Sequence, residues 1–162
     1  MSSDAAKVRE FTEGATGRKC PERPVPLDRA NVLFIIRMIF SELDELACTV
    51  SANETERDNL LAEALAARDR CHEYADGSEP PSIADQADAL VDSWYYSLNC
   101  AAKHGINLSR VFDVVHQANM DKRDPVTGEF IRRADGKVIK PAGWQAPDID
   151  AEIARQQSEG AW

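Results

Sequence analysis

The stretch Phe40-Ser41-Glu42-Leu43-Asp44-Glu45-Leu46 decides how this chain is read, because it sets a carboxylate pair inside one of the most apolar segments of the sequence. The flanking residues Ile35, Ile36, Ile39, Phe40, Leu43 and Leu46 recur at helical spacing, and Asp28 stands where such a helix needs its N-cap. A helix apolar on nearly every side is expected to be buried on nearly every side. At roughly 100° per residue, Glu42 and Glu45 share a sector with Ile35, Met38 and Leu46. Their carboxylates are therefore expected to point into the protein, where ionised groups need a compensating charge.

A second segment, Ser82-Ile83-Ala84-Asp85-Gln86-Ala87-Asp88-Ala89-Leu90-Val91-Asp92, repeats the arrangement. Ser82 is the natural cap, with Asp85 in the third helical position. The helical arithmetic places Asp85, Asp88, Asp92, Tyr96 and Asn99 on one stripe, with Leu90, Val91, Trp94 and Leu98 on the other sides. Three aspartates on one stripe repel one another by a few tenths of a kcal/mol per exposed pair, and by more when desolvated. A hard divalent cation offsets such repulsion, since Mg²⁺ takes carboxylate oxygens and leaves its other positions to water and substrate phosphates. The alternative is two solvated amphipathic faces. Against it stands the combination of a carboxylate pair on an apolar helix, a second acidic stripe and a basic tail.

Composition sets the outer limits. With 162 residues, 43% of them hydrophobic, the chain is expected to form one domain around one core, and few aromatics among many Ala and Leu favour helix. A net charge of -9 argues against nucleic acid as the main partner. Cys20, Cys48, Cys71 and Cys100 are scattered, without CxxC or histidines at zinc-finger spacing, so reduced thiols are expected and His72, His104 and His116 are not expected to ligate metal. No apolar run reaches the length of a membrane span and the N-terminus lacks a signal peptide's regions, which implies no membrane partner and a cytoplasmic location.

Taken in order, residues 1–27 read as a short first helix from about Asp4 to Gly14 and a loop stiffened by Pro21, Pro24 and Pro26. The long helix follows. Asn53 with Glu56 opens a third helix carrying Leu60, Leu61, Ala64 and Leu65. Asp76-Gly77-Ser78-Glu79-Pro80-Pro81 breaks the chain before the fourth helix, which Gly105 stops after His104, and Ser109 is expected to cap a fifth helix ending near Asn119 to Lys122. Residues 123–162 read as a basic hairpin and tail. The hairpin is centred on Asp135-Gly136, Pro141 and Pro147 interrupt the chain after it, and Asp148 caps a last short helix to about Gln157. Lys122, Arg123, Arg132, Arg133, Lys137 and Lys140 make this region cationic. At least one of Lys122, Lys137 and Lys140 is expected to reach a polyphosphate.

The sequence holds no GxxxxGK[ST] loop, no GxGxxG after a strand and no GxSxG elbow, and no cysteine has a nucleophile's context. Metal-assisted phosphate chemistry is what remains.

At this point the chain resembles the all-α nucleoside triphosphate pyrophosphohydrolases, the MazG-like group that includes phosphoribosyl-ATP pyrophosphohydrolase and dimeric dUTPases. Ser41-Glu42-Leu43-Asp44-Glu45 is similar to the family's EExxE and Asp85-Gln86-Ala87-Asp88 to its ExxD. Asp88-Ala89-Leu90-Val91-Asp92 resembles the DALVD segment of phage and bacterial members. Val115-His116-Gln117-Ala118-Asn119-Met120-Asp121-Lys122 resembles VHxxNMxK, and Asp135-Gly136-Lys137-Val138-Ile139-Lys140-Pro141 resembles DGKVxKP. Two positions depart: Ser41 replaces the first Glu, which is thought to help activate the attacking water in some members, and Asp85 replaces the Glu of ExxD.

The resemblance implies an oligomeric helical bundle of four to five helices with a small C-terminal hairpin, spanning residues 1–162 as one domain. It implies hydrolysis of a (deoxy)nucleoside triphosphate to monophosphate and pyrophosphate, with Mg²⁺ or Mn²⁺ held by Glu42, Glu45, Asp85 and Asp88. Glu42, Glu45 and Asp88 are the expected catalytic carboxylates, Asp92 a further ligand or base, and Asn119, Lys122, Lys137 and Lys140 the substrate-binding groups. Family members are homodimers or dimers of dimers, so the lysines can act across subunits. The phage-like segments favour a deoxynucleotide, with dGTP as the first candidate and a dUTP-hydrolysing or broad house-cleaning enzyme as the alternative. The rival of another class is a non-catalytic helical assembly protein, for which Ser41 would mark a lost base. Orthophosphate release is a third reading.

Overall fold

Six helices account for the regular structure of the described residues: α1 Asp4–Thr16, α2 Arg29–Cys48, α3 Glu54–Cys71, α4 Ile83–Lys103, α5 Leu108–Met120 and α6 Ile149–Glu159. The computed structural model describes residues 3–71, 82–134 and 136–162, without the side chains of 68–71. His72, the breaker Asp76-Gly77-Ser78-Glu79-Pro80-Pro81 and Asp135 lie outside the described residues, as does the side chain of Cys71. No helix among those described is long and apolar enough to cross a membrane.

The helix starts follow side-chain chemistry. Asp28 Oδ1 accepts the Asn31 N–H at 2.8 Å, Asn53 Oδ1 accepts the Glu56 N–H at 3.0 Å, and Asp148 Oδ1 accepts the Ala151 N–H at 2.9 Å. Ser82 and Asp85 form a reciprocal capping box: the Asp85 N–H donates to Ser82 Oγ at 3.0 Å while the Ser82 N–H donates to Asp85 Oδ2 at 3.2 Å. Helix α5 begins earlier than the sequence suggests, because Asn107 rather than Ser109 is its cap, with Oδ1 accepting the Arg110 N–H at 3.3 Å. Asn107 wins because its other polar groups are also engaged, by Gln156 and by the Ala161 carbonyl. Helix α4 ends as expected at Gly105, whose φ of 72° lets the Ile106 N–H reach the Ala101 carbonyl at 2.9 Å.

The chain divides into two compact units, residues 24–89 and residues 1–23 with 90–162, and the boundary falls within α4. In the first unit α2 packs on α3. Ala47 is buried there, and Arg57 of α3 reaches Asp44 of α2 at 3.4 Å. In the second unit α5 packs on both α1 and α6. Phe11 of α1 meets the buried Phe130 edge to face at 5.4 Å between centroids, and Gly14 is glycine for a steric reason: a Cβ there would lie 2.7 Å from Phe130 Cε2.

Among the described residues the expected hairpin is reduced to backbone pairing without a strand. Arg132 and Val138 form one isolated antiparallel bridge, and Arg123 and Phe130 form another. The Ile139 N–H donates to the Ile131 carbonyl at 2.8 Å and the Arg133 N–H to the Lys137 carbonyl at 2.9 Å. Neither arm carries the apolar alternation that would extend a ladder, and Pro141 ends the second one.

Candidate functional site

The acidic residues singled out from sequence stand on α2 and on the start of α4, both in the unit of residues 24–89. Glu42 and Glu45 are exposed, as is Ser41 beside them, whereas Asp44 is half-buried and faces Arg57. On α4, Asp85 and Asp88 are exposed, and so is Asp92 beyond the unit boundary. Asp85 also holds the helix start: the Ser82 hydroxyl donates to its Oδ2 at 2.8 Å. That hydroxyl bond, followed by the bond from the Ser82 backbone N–H, holds the Asp85 carboxyl below its ordinary value.

Carboxylate oxygens are the donors a hard divalent cation takes, so the residues fit Mg²⁺ or Mn²⁺ in kind. Among the described residues, however, no group of three or more His, Cys, Asp or Glu side chains gathers at one point.

The surroundings of these carboxylates differ from the sequence expectation. Helix α2 was expected to be buried on nearly every side, yet Ala47 is its one buried residue, while Phe34 is 63% and Leu46 62% exposed. Helix α4 has no buried residue, and Trp94, Tyr95 and Tyr96 are at least half exposed. The apolar periodicity reports a face that wants cover without saying which chain supplies it.

The predicted substrate-binding residues come together in the other unit. At the end of α5 the Lys122 ammonium donates to Asn119 Oδ1 at 2.6 Å. It lies 5.6 Å from the centroid of the Trp144 ring, and the Lys140 ammonium lies 4.1 Å from the same ring. Trp144 is fastened in turn, its indole Nε1–H donating to the Ala118 carbonyl at 2.7 Å. Neither Lys122 nor Lys140 has a carboxylate partner among the described residues, in a protein of net charge -9. Partial burial lowers the Lys122 pKa from the ordinary lysine value, and the charges of Lys140 and then Lys137 lower it further. Lys122 and Lys140 therefore stand close together on one indole.

Trp144 was absent from the sequence reading. The signal that could have found it is a tryptophan three residues after Pro141 in a chain with only three tryptophans, immediately downstream of the lysines.

The model of the phosphoribosyl-ATP pyrophosphohydrolase family matches residues 8–119, a span that contains both carboxylate pairs and ends at Asn119. The chain belongs to this family. As a family member it keeps Glu42, Glu45, Asp85 and Asp88 inside the matched span, while Lys122, Lys140 and Trp144 lie beyond it. The structure is similar to the crystal structure of a candidate NTP pyrophosphohydrolase from Exiguobacterium sp. 255-15, with a TM-score of 0.82, 29% identity and coverage of 99% of each chain. No protein of curated function matches at a significant level.

Proposed function

We propose that this pyrophosphohydrolase-family protein is a metal-dependent nucleoside triphosphate diphosphatase that converts a dNTP and water into dNMP and pyrophosphate. The observation that carries the reading is the cluster of Lys122 and Lys140 on Trp144, cations without acidic partners among the described residues of an acidic protein. The family supplies the reaction class, and the name of the Exiguobacterium neighbour agrees with it.

Glu42, Glu45, Asp85 and Asp88 would hold Mg²⁺ or Mn²⁺, with Asp92 as a further ligand or base. The cation, when bound, neutralises phosphate charge and lowers the pKa of a bound water. Asp85 can serve while capping α4, because both of its capping bonds fall on Oδ2 and leave Oδ1 to a ligand. Asn119 and Lys122 orient phosphate oxygens, and Lys137 and Lys140 offset charge that builds during transfer. Self-association into a homodimer or a dimer of dimers covers the apolar faces of α2 and α4. The preferred substrate is a purine deoxynucleotide such as dGTP, with dUTP or a broad range of nucleotides as the alternative.

Ser41 favours the one rival worth testing, a non-catalytic assembly protein of the same fold, since a serine hydroxyl is no carboxylate base. The test is incubation with each of the eight common NTPs and dNTPs plus Mg²⁺ or Mn²⁺. Pyrophosphate release that falls at least about 100-fold in Glu45→Ala and in Asp88→Ala supports the enzyme. No turnover of any nucleotide, together with no change in thermal stability on adding Mg²⁺, leaves the assembly protein.

A further inference from the structure

The residue that organises the cationic cluster is not itself charged. Lys122 and Lys140 belong to separate segments, one at the end of α5 and the other just before Pro141, and a single indole brings them together. Two ammonium groups repel each other in the absence of an anion, and nothing in the lysine side chains, with their rotatable stems, would keep them close. The face of an indole is the most favourable aromatic partner for a cation, and attraction to the ring offsets part of that repulsion. The ring is also anchored. Its Nε1–H is bonded to the carbonyl of Ala118, a buried residue in the last turn of α5, one position before Asn119. Asn119 holds Lys122 by its side-chain oxygen, so one helical turn positions both the first lysine and the ring that carries the second.

We propose that Trp144 is a positioning residue that keeps Lys122 and Lys140 assembled on one indole as a preformed site for the polyphosphate of the substrate. This deepens the reading given above and rests on it for the identity of the natural ligand. Trp144 touches no reacting atom in this role. It acts by keeping two cations where a di- or triphosphate can bind both without first gathering them, which lowers the ordering cost of binding.

The experiment measures binding of inorganic tripolyphosphate by calorimetry in metal-free buffer, so it does not depend on turnover. Trp144→Leu, which keeps apolar bulk and removes the ring, is expected to weaken binding roughly 5- to 30-fold, the range expected from losing aromatic contact with two cations. Trp144→Phe, which keeps a ring but loses the Nε1–H anchor, is expected to weaken binding less than Trp144→Leu does. Lys140→Gln, a change at an exposed side chain, should weaken binding by a similar factor to Trp144→Leu, and the double variant should add little, because both remove the same arrangement.

Unchanged tripolyphosphate affinity in Trp144→Leu overturns the proposal. So does a loss of affinity for an unphosphorylated nucleoside instead, which would make the ring a base-stacking surface. Should Trp144→Leu fail to fold, unaltered binding in Lys140→Gln overturns it alone. A protein that binds tripolyphosphate in this Trp144-dependent way yet hydrolyses no nucleotide refutes the enzymatic reading and leaves the inference standing; turnover without Trp144-dependent binding does the reverse.

Discussion

The α5–α6 pair and the α2–α4 region solve the problem of burial in opposite ways. Where α5 meets α6, polar groups are satisfied within the chain: Glu152, only 3% exposed, receives Arg110 and Arg155 at 2.7 Å each, and Gln156 at 3.0 Å. Gln156 also exchanges hydrogen bonds with the backbone of Asn107, and the Asn107 amide and Arg110 guanidinium hold the carbonyls of Ala161 and Gly160. The bond from Gln156, opposed by desolvation and helped by both arginines, keeps the Glu152 carboxyl below its ordinary value. Along α2 and α4 the apolar side chains find little cover in their own chain. One region closes on itself, and the other leaves apolar side chains exposed.

That contrast can be broken first from the apolar side. Charging it, as in Phe34→Asp with Leu46→Asp, is expected to abolish self-association, giving the mass of a single chain by light scattering, and to remove activity with it. An unchanged assembly mass would show that these faces are covered some other way. The next effect comes from the closed region. Glu152→Ala leaves Arg110 and Arg155 without their shared carboxylate and is expected to lower the melting temperature by roughly 5 °C or more, without altering assembly mass, as read by a thermal melt. The smallest effect belongs to the cap that α4 shares with the acidic site. Ser82→Ala is expected to cost about 1 kcal/mol in a denaturant titration. Because the folded Asp85 carboxyl is held below its ordinary value, the stability it contributes is present at neutral pH and is lost as pH falls through the ordinary carboxylate range toward that lowered value. The difference between Ser82→Ala and the original protein should therefore shrink on acidification.

The helix starts at Asp28, Asn53, Ser82 and Asp148 were legible because a cap is a local event, decided by one side chain and the N–H groups within its reach. The start of α5 was misplaced by contacts that are not local: Asn107 is held by Gln156 and Ala161, 49 and 54 residues away. Trp144 was hidden for the same reason, since its partner at Ala118 is 26 residues upstream. The lysines could be singled out as cations, but which of them converge depends on where the chain after Pro141 returns to α5. The exposure of α2 has another origin. A run of apolar residues specifies that a surface seeks burial, and the residues that bury it need not belong to the same chain.

The most direct test of the central claim follows the oxygen of the attacking water. The protein is incubated in ¹⁸O-labelled water with its best nucleotide and Mg²⁺, and the products are separated and weighed by mass spectrometry. Attack on the α phosphorus predicts unlabelled pyrophosphate and a nucleoside monophosphate carrying one ¹⁸O. Labelled pyrophosphate, release of orthophosphate, or no product from any nucleotide would contradict it.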